Sequence, residues 1–231
     1  MKRNVSLEEI SDGRLYGEND MVKADCRGCV GCSDCCRGMG RSIILDPYDV
    51  YRLTTGLGKS FADLMDREVE LNVVDGCILP NLKMAGAQEQ CPFLNTEGRC
   101  GVHALRPGIC RLFPLGRYYE NGAFRYFLQT GQCNAAHSKV KVGKWIDTPN
   151  LRRNREFITD WHYLLNRVEE LVQGNLDDIF RRDINMMLLQ TFYLTPYDGQ
   201  RDFYEQYEGR AKQFVEQIKL LEKEDKVCIH P

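Results

Sequence analysis

The segment "CRGCVGCSDCC", Cys26 to Cys36, places five thiols within eleven residues. Cys26, Cys29, Cys32 and Cys35 recur every third position, and Cys36 doubles the last of them. Two residues between cysteines make a turn tight enough for both thiolates to converge on one ion, a spacing shared by zinc knuckles and iron–sulfur loops. The run starts like a bacterial ferredoxin loop. It departs after Cys35, where the expected x3-Cys-Pro is absent, and no second matching run follows. Adjacent side chains diverge in strands and helices alike. The Cys35–Cys36 doublet is therefore expected to serve two centres, or to divide between a ligand and a packing thiol.

Further thiols lie in loop-like settings. Cys91 precedes Pro92-Phe93, Cys100 sits in "EGRCGVH", and Cys110 in "RPGICRLFP". Gly and Pro there suit rigid, ligand-holding loops. His103 stands in C-x-x-H register with Cys100, as a nitrogen ligand or an ordinary hydrogen-bonding residue. A dication with four thiolates keeps a net negative charge, so nearby donors are needed. Arg106 and Arg111, flanking Cys110, are the candidates for contact with a bound cofactor, and Arg99 precedes Cys100.

The elements that must position these residues are short. "SIILDPYDVYRLTTGLGKSFADLMD" predicts a strand and then two helices. Asp46 is the first N-cap with Pro47 behind it, and Ser60 with Asp63 forms the second cap. "EVELNVVDGCILPNLKM" reads as strand broken at Asp75-Gly76, and "GRYYENGAFRYFLQ" as a hairpin turning at Asn121-Gly122. Beyond residue 140 the pattern is helical. Phe157, Trp161, Leu164, Val168 and Leu171 make one stripe, opened near Pro149 and closed by Gly174. "IFRRDINMMLLQTFYLTPYDG" begins helical and ends as a loop at Pro196. Phe203, Tyr207, Ala211, Phe214, Ile218 and Leu221 form the last stripe. The expected fold is α+β: an irregular cysteine-rich metal-binding core with short strands, a hairpin and short helices, packed against a C-terminal helical part. The expected division is an N-terminal extension (1–25), a cysteine-cluster domain (26–140) and a helical part (141–231) packed on the same domain.

The chain of 231 residues carries eleven cysteines and a formal net charge of −2. An odd count disfavours a complete disulfide framework. The first twenty residues have no apolar segment of signal-peptide type, and no run suits a membrane span. A cytoplasmic location with reduced thiols is expected. Near-neutral charge without a basic stripe points away from nucleic acid and membrane. The basic residues between Lys139 and Arg155 read as a solvated helix flank.

"CVGCSDCC" from Cys29 fits C-x-x-C-x-x-C-C. "CPFLNTEGRCGVHALRPGICRLFP", Cys91 to Pro114, resembles a second signature of the same family: C-P-F-L, a further Cys, then R-P-x-x-C-R-x-F-P. On these residues the chain resembles the CxxCxxCC, or YkgJ-type, family of zinc- or iron-chelating domains, which includes flagellin lysine-N-methylases. The resemblance covers roughly Cys29 to Cys133. It implies metal ligation by Cys29, Cys32, Cys35, Cys36, Cys91, Cys100, Cys110 and Cys133, and leaves Cys26, Cys77 and Cys228 outside the pattern as buried or incidental thiols. The implied cofactor is an iron–sulfur cluster, of 4Fe–4S type, or zinc. The role is redox, sensing or structural, or that of a zinc interaction module, with a protein partner. The resemblance also carries an enzymatic alternative, a SAM-dependent lysine N-methyltransferase acting on a protein substrate. Against it, "TTGLGKSF" lies within a helical stretch and is no strand-to-helix glycine turn for SAM.

Overall fold

The computed structural model describes residues 6–26, 32–133 and 138–228. A single helical turn, α1 (Leu7–Ile10), leads to strand β1 (Met21–Asp25). After the 3₁₀ turn Asp34–Cys36 come helices α2 (Pro47–Leu57) and α3 (Phe61–Arg67). Both open on reciprocal capping boxes, Ser60 with Asp63 as the local sequence predicts, and the expected Asp46 cap completed by Asp49. Gly58, at φ 63°, closes α2 in the left-handed conformation that glycine adopts without strain.

Strands β2 (Val69–Val74) and β3 (Cys77–Leu82) pair antiparallel around Asp75 and Gly76, both at positive φ. The strand expected just before Asp46 does not form. Only Ile44 bridges to Asn81 of β3, flanked by bonds from Leu45 N–H to the Pro80 carbonyl and from Leu82 N–H to the Ile43 carbonyl. Pro80 has no N–H to return to Leu45, so the ladder stops there. The freed Leu45 carbonyl instead accepts the Tyr193 hydroxyl at 3.0 Å.

The 3₁₀ turn His103–Leu105 precedes the short helix α4 (Gly108–Leu112). Strands β4 (Leu115–Glu120) and β5 (Ala123–Leu128) then form the hairpin, with Asn121 and Gly122 both at positive φ. Strand β6 (Ser138–Lys141) pairs with β1 and runs into helix α5 (Val142–Ile146). The remaining chain is helix α6 (Leu151–Gly174), helix α7 (Asp178–Leu189) with a π-turn at Gln190–Leu194, and helix α8 (Phe203–Cys228). The fold is α+β, with three two-stranded antiparallel sheets among the described residues and a C-terminal helical part.

One apolar core joins the two parts. Leu53, Leu64, Val69 and Leu82 share it with Phe157, Trp161, Val168, Phe192 and Phe214. Polar pins cross the same boundary: Asn185 of α7 accepts from Ile78 N–H at 2.6 Å and donates to the Gly76 carbonyl at 3.2 Å. Two of the basic residues near α6 form ion pairs with distant segments, Arg153 with Asp202 at 3.0 Å and Arg155 with Glu18 at 3.5 Å. No described helix is long and apolar enough to cross a membrane.

Candidate metal centre

Three chain segments bring thiols to one place. The first is the turn that ends in Cys35 and Cys36. It is stitched to the second by Cys91 N–H, which donates to the Cys36 carbonyl at 2.8 Å, and by the antiparallel bridge of Arg37 with Gln90. The second is the loop from Cys91 to Cys100. Leu94 N–H closes on the Cys91 carbonyl at 3.0 Å, Gly101 N–H on the Phe93 carbonyl at 2.7 Å, and Asn95 and Arg99 hold its tip. The third is α4, carrying Cys110.

Helix α4 has only five residues and is held from both sides. Asp49 Oδ1, from α2, accepts the Gly108 N–H at 2.7 Å. From α5, the Trp145 indole N–H donates to the Phe113 carbonyl at 3.2 Å. The Arg111 guanidinium binds three carbonyls: Arg106 at 3.0 Å, Asp147 at 2.6 Å and Ala104 at 2.5 Å. Arg52 donates to Ala104 as well. Gly56 lets α2 approach the His103–Leu105 turn so closely that a Cβ there would meet Leu105 Cδ1 at 2.5 Å.

The result is a cavity of about 180 Å³ whose lining includes Cys32, Cys35, Cys36, Cys91, Cys100 and Cys110. None of these six is in a disulfide. Several of them feel another thiol. Burial pushes the Cys110 thiol up, and Asp49, Cys91, Cys35 and Cys100 add to the effect. Cys91 is raised by burial first, then by Cys100 and Cys35, and Cys100 by burial and by Cys35. For Cys35 the largest cause is its hydrogen bond with the Cys36 thiol, followed by burial. The doublet thus does not diverge as adjacency alone suggests; the 3₁₀ turn opens both thiols into one cavity.

Backbone donors already point at sulfur. The N–H groups of Phe93 and Leu94 donate to Cys91, and that of Val102 to Cys100, favouring the thiolate. Arg106 lines the cavity and favours the charged forms of Cys35 and Cys100, while its Nε is buried with no hydrogen-bond partner among the described residues. Arg111 lies behind, lining a smaller cavity with Asp46, Asp49 and Arg117. His103 lines the thiol cavity; burial and the guanidiniums of Arg106, Arg111 and Arg99 lower its pKa.

Cys29 lies outside the described residues. Cys133 is half-buried and is not among the residues lining the cavity, although its neighbour Gln132 is. Cys26 is buried, Cys77 is buried at the start of β3, and Cys228 ends α8. Among the described residues no three His, Cys, Asp or Glu side chains are already gathered as a group that could hold an ion; the thiols stand around the cavity wall. Sequence reasoning did not single out Asp49. Its signal was the D-P-Y-D spacing that makes it the return half of the cap.

Thiols from three segments, with backbone donors aimed at two of them and a guanidinium beside two, fit a soft divalent metal or an iron–sulfur cluster. They define a metal-chelating domain built on cysteine. The chain belongs to the CxxCxxCC family through residues 26–138, which match the family model described as "putative zinc- or iron-chelating domain". The match begins at Cys26, one step before the signature read from spacing. No curated protein and no solved structure matches the chain significantly.

Proposed function

We propose that Cys35, Cys91, Cys100 and Cys110 are the inner ligands of a 4Fe–4S cluster, with Cys32 and Cys36 as further thiols on the same wall. The observation that carries this reading is that these four thiols, from three chain segments, line one cavity, with Cys110 and Cys91 raised by the others. Their χ1 torsions offer staggered alternatives through which the sulfurs can turn inward. Donors that are all cysteine, in tandem short spacings, favour a cluster over a lone zinc ion.

A cluster here would tie the Cys35 turn, the Cys91–Cys100 loop and α4 together. It would also lie beneath the exposed rim of Arg99 and His103, within reach of a redox partner. Both a structural and a redox or sensing role follow from that position. The test is anaerobic purification with iron, sulfide and zinc analysis. Iron and sulfide in equal amounts, with visible absorption bleached by dithionite, are expected. A colourless protein with stoichiometric zinc overturns the cluster.

A further inference from the structure

The cavity is not lined by thiols alone: Met39, Ile43, Leu82, Met84 and Leu115 line it too, with Gln129. Among the described residues no carboxylate lines it, whereas Arg99, Arg106 and His103 do. Arg106 also lines the smaller cavity behind it, together with Arg52, Arg111, Arg117, Asp46 and Asp49. The Nε of Arg106, buried without a partner among the described residues, is a donor awaiting an acceptor.

We propose that this chamber is a binding site, adjoining the metal centre, for a small organic carboxylate with an uncharged apolar body. The carboxylate would meet Arg106, with Arg99 at the rim, and the apolar body would lie along Met39, Leu82 and Met84. Ligand sites of this kind are largely apolar with a few convergent polar groups that set orientation. A cationic ligand has no counter-charge here, and a bare inorganic anion would leave the apolar wall unused.

The inference rests on the proposed metal centre for the site that the ligand would adjoin, and its test separates the two. The full chain, metal-loaded and with metal content measured, is titrated calorimetrically with hexanoate, hexanol, hexylamine and inorganic phosphate near neutral pH. Saturable binding of hexanoate is expected, with the other three at least about tenfold weaker. Arg106→Gln should weaken hexanoate by at least about tenfold and leave hexanol unchanged. If Arg106→Gln loses metal, Arg99→Gln carries the comparison, with a smaller loss of the same sign. Equal binding of hexanoate and hexanol, preference for hexylamine or phosphate, or hexanoate binding indifferent to both arginines overturns the proposal. Arginine-dependent hexanoate binding by a chain that takes up no metal upholds the chamber and sinks the metal centre instead.

Discussion

Cys77 and Cys110 are both thiols that burial pushes up, yet their neighbours give them different work. Cys110 feels three other thiols; Cys77 feels only Glu169 and Asp75 after burial. Serine at Cys35, Cys91, Cys100 or Cys110 should therefore remove most of the bound metal, while Cys77→Ala keeps it, as metal analysis of the purified variants will show. Cys36→Ser should lose a smaller share than Cys35→Ser, because Cys36 reaches the set through its bond to Cys35; equal losses would count against that division. Cys77 also sets an alkaline limit. Its pKa is pushed from 9.0 to about 12 in the fold, so its contribution to stability is complete below the unfolded value and disappears as pH rises through about 12. Denaturant midpoints in the metal-loaded protein should fall from about pH 9 upward, and Cys77→Ala should flatten that decline at a cost of about 1 kcal/mol near neutrality. An unchanged alkaline slope in the variant would contradict this assignment. The individual cysteines were legible in the sequence because type and spacing name a thiolate ligand. Their partnership was not, since the contact of Cys36 with Cys91 depends on a bridge between distant segments, and the bonding of Cys35 to Cys36 depends on a 3₁₀ turn that spacing does not specify.

Helix α2 shows how an element far from the thiols places one of them. Asp49 accepts N–H groups from both Asp46 (3.2 Å) and Gly108 (2.7 Å), so one buried carboxylate caps its own helix and anchors the start of α4. The pair is costly to ionise. Burial raises Asp46 to about 6, and burial with the Asp46 charge raises Asp49 well above the carboxylate range. For an acid raised in the fold, the stabilising contribution is present below the unfolded value and lost as pH rises through the folded one. Wild-type stability should thus decline as pH rises from about 4 through about 6, where Asp46 ionises, and Asp49→Asn should remove part of that decline. Asparagine keeps the acceptor for Gly108 and loses the return bond to Asp46, so the net change at neutral pH should stay within about 1 kcal/mol. Asp49→Leu leaves the Gly108 N–H without its acceptor and should cost about 2–3 kcal/mol, with reduced metal content. Urea denaturation across pH reads both; equal effects of the two substitutions would deny Asp49 the anchoring role. The cap itself was readable from D-P-Y-D, as were the Ser60–Asp63 box and the Asn121–Gly122 turn, because each is settled within a few residues. The failed strand before Asp46 was not, because its limit is set by Pro80 on the opposite strand and by the Tyr193 hydroxyl that takes over the Leu45 carbonyl.

At the scale of the whole molecule, the cysteine-rich part borrows its rear wall from the helices. Tyr48 of α2 packs against Phe157 and Tyr204, Phe61 of α3 against Tyr193, and Gly76 at the β2–β3 turn lies 3.2 Å, through a built Cβ, from Val172 of α6. Strand β1, before the first described thiol segment, completes a sheet with β6 beyond the last. Removing residues 141–231 would expose Val50, Leu53, Leu64 and Val69 and strip the partners of the Ile78 N–H and the Leu45 carbonyl. Each large core side chain so exposed forfeits about 1.5–3 kcal/mol. The sum over four exceeds much of the 5–15 kcal/mol that holds a typical domain. A fragment of residues 26–140 is therefore expected to lack a cooperative unfolding transition in the absence of metal, whereas the full chain keeps one. Thiolate–metal bonds can carry folding energy directly, so the comparison is made with and without metal. A fragment that unfolds cooperatively without metal would show that the helical part is dispensable to the centre. A fragment that folds only when loaded would show that the metal and the helices are alternative braces for the same three segments.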